Sequence, residues 1–320
     1  MGVAAPAPGA PAPCYDPAFM TCRFALLALV IAATSPARPV KLTPGAAAAV
    51  TREILAARAE SEHALRTSPT SYLATVDRRD FGDKATLTVG RAADNDLRID
   101  DASISGHHLR VTVAGDRFEV RAVDPQASFT VGRESKRDAV VAPGTLGVGR
   151  FVLRLSHQRF PALILYDPRS PRLAAYKGLA YFPVDLAYRF ELPLTPNPTP
   201  ETVVIMSTRG NPRRAERAGW FEFYVGDTPC RLEASRLLEP GVGEGGLSVF
   251  FRDATSGRES YELGRYVEAT RLANGNYLLD FNAAYNPACA FSPHYNCPIP
   301  PKGNTLAVAI RAGEKDSHYH

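Results

Sequence analysis

The chain has 320 residues, 45% hydrophobic and 22% charged, with a formal net charge of +4. That length accommodates two domains with separate cores, and the composition is that of an ordinary globular protein. Lys and Arg alternate with Asp and Glu, and the nearest approach to a basic run, residues 209–217, contains Glu216; nucleic-acid binding, which needs a concentrated basic face, is not expected.

Residues 1–19 are Ala- and Pro-rich without periodicity. From Met20 a different pattern starts: Arg23, an apolar run over 24–33, then Ser35-Pro36-Ala37. This is the layout of a secretory signal peptide, with Met20 an alternative start to Met1. The apolar run is about half the ~20 residues a bilayer span needs. The expectation is a leader over 1–37, a secreted or periplasmic protein, and no stable membrane span once the leader is removed.

Residues 45–66 are rich in Ala, Glu and Arg, with Val50, Ile54, Leu55, Ala57 and Leu65 near helical spacing and Ser68-Pro69 as a stop. The spacing predicts a helix with a weak apolar stripe, lying along a surface within a helical segment over 38–69. From Tyr72 the pattern changes to short strands: 85–89, 97–99, then 108–113 and 117–122 as a hairpin across Ala114-Gly115-Asp116, and two more within 145–155. Short strands with regular turns predict a β-sandwich over 70–158.

Residues 159–200 read as a connector. Residues 162–166 are a buried-type strand, Tyr176, Tyr181, Phe182, Tyr188 and Phe190 crowd a Pro-containing loop, and 193–200 are Pro-rich. Over 201–315 the pattern is again β, with strands expected at 203–207, 220–225, 230–234, 247–252, 264–270, 276–281 and 305–310, the first two joined across the Arg-rich stretch. This spacing predicts an antiparallel meander or small barrel. Residues 316–320 read as a tail. The fold class is therefore mainly β: an N-terminal helix, a sandwich, then the meander.

Within the sandwich, Gly90-Arg91, Asn95-Asp96-Leu97-Arg98-Ile99, Ser105-Gly106-His107-His108 and the later Val141-Ala142-Pro143-Gly144 with Gly147-Val148-Gly149 resemble, in order and spacing, a forkhead-associated domain. That resemblance implies that Arg91 and Ser105 hold a phosphothreonine through charge-assisted hydrogen bonds, with His108 bracing the loop. The Asn-Gly-Thr loop of that family is replaced by Asp124-Pro125-Gln126-Ala127-Ser128. The bland alternative is a sandwich in which Asp96 and His108 satisfy loop backbone groups.

The C-terminal half is similar to the bacterial family catalogued as domain of unknown function 1684. The resemblance rests on residues 250–257, 261–266, 279–287, Cys289, Cys297-Pro298 and Gly313-Glu314-Lys315, with 176–183 and 185–189 earlier. It implies an exported or envelope protein with a shared two-part fold and brings no activity or catalytic residue.

The densest chemistry lies in residues 279–301. Asp280 and Asn282, two apart on an expected strand, would share a face and lead into Tyr285 and Asn286. Arg252, Asp253, Glu259, Tyr261 and Arg265 would converge on them from neighbouring strands and turns. Two readings stay open: a site for a small polar or envelope ligand, or an internal network with Arg252 or Arg265 paired to Asp280. An enzyme reading would use Asp280 or Glu259 as general acid or base, with Arg265 steadying an anionic substrate. No serine-hydrolase elbow, metalloprotease, P-loop or dinucleotide motif is present.

Cys289 and Cys297 are separated by seven residues, and in an oxidising compartment a disulfide closing that loop would contribute about 2.5 kcal/mol. The alternative is a Cys289, His294, Cys297 metal set with Asp280. Neither a metal nor a cofactor is expected. The expected partners are a small polar ligand or another envelope protein.

Overall fold

A computed structural model of the protein describes residues 37–157, 159–199, 201–238 and 246–319. The expected leader lies outside them except for Ala37. Helix α1, Pro44–Thr67, starts where the Thr43 hydroxyl accepts from the Ala46 amide and Pro44 presets the first turn. Ile54 is its buried residue. The weak stripe does what it predicts, laying the helix along a surface. Among the described residues no helix is long and apolar enough to cross a membrane.

The sandwich is built from β1 (Thr75–Asp80), β2 (Thr86–Gly90), β3 (Leu97–Arg98), β4 (Leu109–Ala114), β5 (Arg117–Ala122), β6 (Phe129–Val131), β7 (Glu134–Lys136), β8 (Asp138–Val141), β9 (Gly144–Val148), β10 (Phe151–Ser156) and β11 (Ala162–Tyr166). One sheet runs β1-β11-β10-β9-β6-β7 and the other β3-β2-β4-β5-β8. In β5 the burial alternates strictly: Phe118, Val120 and Ala122 face the core while Arg117, Glu119 and Arg121 face water. β4 and β5 form the predicted hairpin, closing at Ala114 opposite Arg117.

β11 differs, because every residue in it is buried. Leu163 and Leu165 join the sandwich core. Ile164 and Tyr166, on the other face, pack in a second apolar cluster with Phe250, Tyr266, Phe291 and Tyr295 of the C-terminal half. Thus a strand within 159–200 lies between β1 and β10 and supplies the floor of the seam between the halves.

The second half contains β12 (Arg189–Leu192), β13 (Thr195–Pro196), β14 (Thr202–Met206), β15 (Pro212–Val225), β16 (Thr228–Leu237), β17 (Leu247–Phe251), β18 (Arg265–Arg271) and β19 (Tyr277–Asp280). They form one 8-stranded sheet in the order β12-β19-β18-β17-β16-β15-β13, with β14 also on β15. Of the two expected forms it is the meander: it curls around Phe190, Phe223, Phe251 and Phe281, but β12 and β13 remain separate ends.

Two expectations are corrected. The Arg-rich stretch is not a loop for most of its length, because β15 begins at Pro212 and Arg213 and Ala215 turn inward while Arg214 faces out. Residues 305–310 form no strand. Their backbone is held piecewise, with Leu306 N–H on Arg252 O, Ala254 N–H on Val308 O and Ile310 N–H on Asp253 Oδ2, so a side chain takes the place of a ladder partner.

Candidate functional site

The strand alternation expected at Asp280 and Asn282 stops one residue early. β19 ends at Asp280, whose carboxylate caps the 3-10 turn Phe281–Ala283 by accepting from the Asn282 amide at 3.0 Å. The Asn282 side chain then folds back. Its Nδ2 donates to Asp280 Oδ1 at 2.9 Å and to Asp185 O at 2.8 Å, and its Oδ1 accepts from Asp185 N at 2.9 Å. The ion-pair partner of Asp280 is neither Arg252 nor Arg265. It is Arg189, from the neighbouring strand β12, where the two residues stand opposite each other.

Asp280, Asn282 and Tyr285 do share a concavity. It lies between α1 and the sheet, has a volume of about 430 Å³, and is also lined by Arg58, Tyr181, Arg189, Glu268 and Glu314. Arg58 reaches down from the helix, its guanidinium 4.5 Å from the Tyr181 ring centroid, donating to Phe182 O at 2.9 Å and Asn282 O at 3.2 Å. Its Nε is buried without a partner, and burial holds its pKa below the ordinary arginine value.

Glu314 enters from the chain's other end. Gly313, at φ 79°, makes this possible: a Cβ there would lie 2.5 Å from Ala284 O. Glu314 is buried, accepts from the Asn286 amide at 2.8 Å, and is pushed up to about 7 by burial. Burial also raises the Tyr181 and Tyr285 hydroxyls; the Tyr285 hydroxyl donates to Glu268 Oε1 at 3.1 Å.

The remaining sequence candidates do not reach this cleft. Asp253 and Arg265 pair inside the protein at 3.3 Å, and Arg265 also donates to Ile310 O at 2.8 Å and Glu314 O at 3.1 Å. They staple the C-terminal segment to the sheet. Arg252 anchors Thr305 through its backbone. Glu259 pairs with Arg311 at 2.9 Å on the outside. Tyr261 is buried with its hydroxyl 3.8 Å from Cys289 Sγ. Asn286 is buried and donates through Nδ2 to Lys315 O. Sequence reasoning missed Arg58, Arg189, Tyr181 and Glu314 as lining residues. Three of them lay in stretches quoted for the family resemblance alone: Tyr181 in 176–183, Arg189 in 185–189 and Glu314 in 313–315.

The expected bridge between Cys289 and Cys297 is not formed. Both are free buried thiols, as is Cys230, and the Cys289 amide donates to Cys297 Sγ at 3.2 Å. The short 3-10 turn over Ala288–Ala290 brings the Cys289 N–H onto the Cys297 sulfur, and the two thiols also meet in a hydrogen bond. Among the described residues no cluster of three His, Cys, Asp or Glu side chains is placed to hold a metal, so Cys289, His294, Cys297 and Asp280 form no such set.

At the sandwich rim, the Arg91 amide donates to Ser105 O at 3.0 Å, joining the two loops. Gly90 is required there, since a Cβ would lie 2.2 Å from Gly106 O. Buried His108 accepts from the Ser105 amide on Nδ1 at 3.1 Å and contacts Ser128 O through Nε2 at 2.9 Å. Those contacts fix the neutral ring with its proton on Nε2. Asp96 accepts from the Thr88 amide at 2.9 Å. The loop-bracing reading of Asp96 and His108 holds. The Arg91 side chain is exposed beside Ser105.

These features define a mainly β protein, a rim-bearing sandwich sharing a buried seam with a curled antiparallel sheet. Residues 174–315 match the model of the family described as protein of unknown function (DUF1684), and residues 87–137 match the FHA domain model. A curated relative, the oxoglutarate dehydrogenase inhibitor of Corynebacterium jeikeium, is 33% identical over 72 residues, 22% of this chain and 50% of that protein. The chain thus spans about half the length of that relative. A solution structure of an uncharacterised protein of Haloarcula marismortui is 35% identical, covering 47% of this chain and 82% of that one, with a TM-score of 0.38. The structure of Mycobacterium tuberculosis EmbR in complex with a low affinity phosphopeptide is 18% identical, covering 38% of this chain and 30% of that one, with a TM-score of 0.19.

Proposed function

We propose that the protein is an exported binding module whose small polar ligand sits in the cleft under α1. The supporting observation is the wall itself. Arg58, Asp280, Asn282, Tyr285 and Glu314, from the helix, the sheet and the C-terminal segment, meet around about 430 Å³, a volume suited to a small molecule. The lining offers donors and acceptors of both signs, which favours a ligand rich in hydroxyl or amino groups over a simple ion. The hydrolase alternative is weaker. Asp280 is engaged by Arg189 and Asn282 and Glu259 by Arg311, so neither carboxylate is free to move a proton.

The test is a panel of sugars and amino sugars screened by melting temperature and calorimetry against the wild type and Arg58→Met. A ligand at a hundredfold excess over its Kd stabilises by about 2.7 kcal/mol, readable as a shift of several degrees, and Arg58→Met should weaken it about tenfold. A flat panel, or a variant that responds like the wild type, would sink the reading.

A second reading, a protein-interaction role at the sandwich rim, is favoured by the exposure of Arg91 beside Ser105 and by the FHA match. Asp124, which accepts from the His107 amide at 3.0 Å, adds a carboxylate to the same rim. Binding of a phosphothreonine peptide over its unphosphorylated form, lost in Arg91→Ala, would support this reading; equal binding of the two peptides would end it.

A further inference from the structure

We propose a second binding site, adjoining the α1 cleft across Tyr285, in the seam between the sandwich and the C-terminal sheet: a site for a small organic anion carried on a ring, anchored by Arg154 between Tyr72 and Tyr285. Two adjoining cavities open there, of about 360 and 410 Å³. The residues common to both walls are Tyr72, Arg154 and Tyr285.

Arg154 is the first observation. β10 alternates, sending Leu153 and Leu155 into the sandwich core and Arg154 outward into the seam. The guanidinium is half-buried, and among the described residues it has no hydrogen bond or ion pair. A cation partly removed from water without a carboxylate is costly unless an anion completes it. The opposing charge in the wall of the cavity of about 360 Å³ is Glu268, already engaged by the Ser248 and Tyr285 hydroxyls at 2.8 and 3.1 Å. Arg78 and Arg213, both buried, line the same wall. Arg78 is committed to Asp80 at 2.8 Å, and Arg213 donates to Asn296 O. Glu314 lines the second cavity.

The two tyrosines are the second, independent observation. Each is 36% exposed, unusual for large aromatic residues at the floor of a seam. Each is braced from behind: Tyr72 by Tyr295, edge-on at 5.1 Å, and by Phe291 at 5.7 Å; Tyr285 by Tyr266, edge-on at 5.8 Å. Rings fixed in this way present area at little entropic cost. A carboxylate or phosphate on Arg154 with an attached ring against a tyrosine satisfies both features.

The experiment titrates full-length protein by calorimetry with phenyl phosphate, glucose 6-phosphate, inorganic phosphate and phenol. One of the ring phosphates should bind about tenfold tighter than inorganic phosphate, and which one does so tells an aromatic from a sugar ring; phenol should not bind. Arg154→Gln should weaken that ligand at least about tenfold with an unchanged melting temperature, since no internal partner is lost. Tyr72→Leu should erase the advantage over inorganic phosphate. Arg58→Met, in the other cleft, should leave this titration unchanged, so failure here and failure of the small-polar-ligand reading are separable. The proposal is overturned if neither ring phosphate binds below about 10 mM, if Arg154→Gln titrates like the wild type, or if the ring adds nothing to phosphate.

Discussion

Arg265 and Asp253 form an ion pair whose side chains are 1% and 0% exposed, whereas Arg189 and Asp280, in the same half of the protein, are 19% and 9% exposed. The chemistry is the same and the surroundings are not. Arg265 spends its terminal nitrogens on the carbonyls of Ala312, Glu314 and Ile310 as well as on Asp253. Asp280 caps a turn and then borders a cleft that also holds Arg58 and Glu314. A pair with no solvent path and both terminal nitrogens engaged is a clasp. A pair at the edge of a cavity can still answer to something outside the protein.

The comparison breaks most clearly at Arg265. Arg265→Met leaves Asp253 buried without its cation and should cost about 3–5 kcal/mol in urea unfolding; a loss below about 1 kcal/mol would mean that the clasp contributes little. Glu314 sharpens the comparison through pH. Its folded value of about 7 lies above the ordinary 4.5, so the folded state binds more protons than the unfolded state between those values. Stability from this group is complete below pH 4.5 and is lost as pH rises through about 7. Glu314→Gln should therefore match the wild type near pH 4 and exceed it at pH 8 by up to about 3 kcal/mol. Chemical denaturation at both pH values reads this directly, and parallel pH profiles would contradict it. The smallest effect belongs to the exposed pair Glu259–Arg311: Glu259→Gln should leave the urea midpoint nearly unchanged, and a clear loss would upset the division between clasp, cleft and surface.

Much of the architecture was legible because its signals are local. Ser68-Pro69 ends the helix, alternation in residues 117–122 marks a half-buried strand, and Gly90-Arg91 with Ser105 and His108 marks the rim loops; the Thr43-Pro44 start went unread. The site was half legible. Asp280, Asn282 and Tyr285 line the cleft, but the alternation used to orient the first two ends where Asp280 prefers to cap a turn. Arg58 and Glu314 could not be joined to them from spacing, because one sits on a polar helix face and the other waits on a glycine turn near the chain's end. Burial of Arg265 was equally hidden, since its carbonyl partners Ile310, Ala312 and Glu314 lie at and beyond the end of a segment that resembled a strand and is not one.

Strand β11 carries a consequence for how the protein comes apart. Its odd-numbered leucines belong to one core, its Ile164 and Tyr166 to the other. Removing either half strips one face of a strand that has no solvent-facing side, so the sandwich cannot shed its neighbour without exposing apolar surface of its own. The protein has two folds by topology but one melting unit by energetics: neither half is a detachable cartridge, and loss of order at the seam is shared by both.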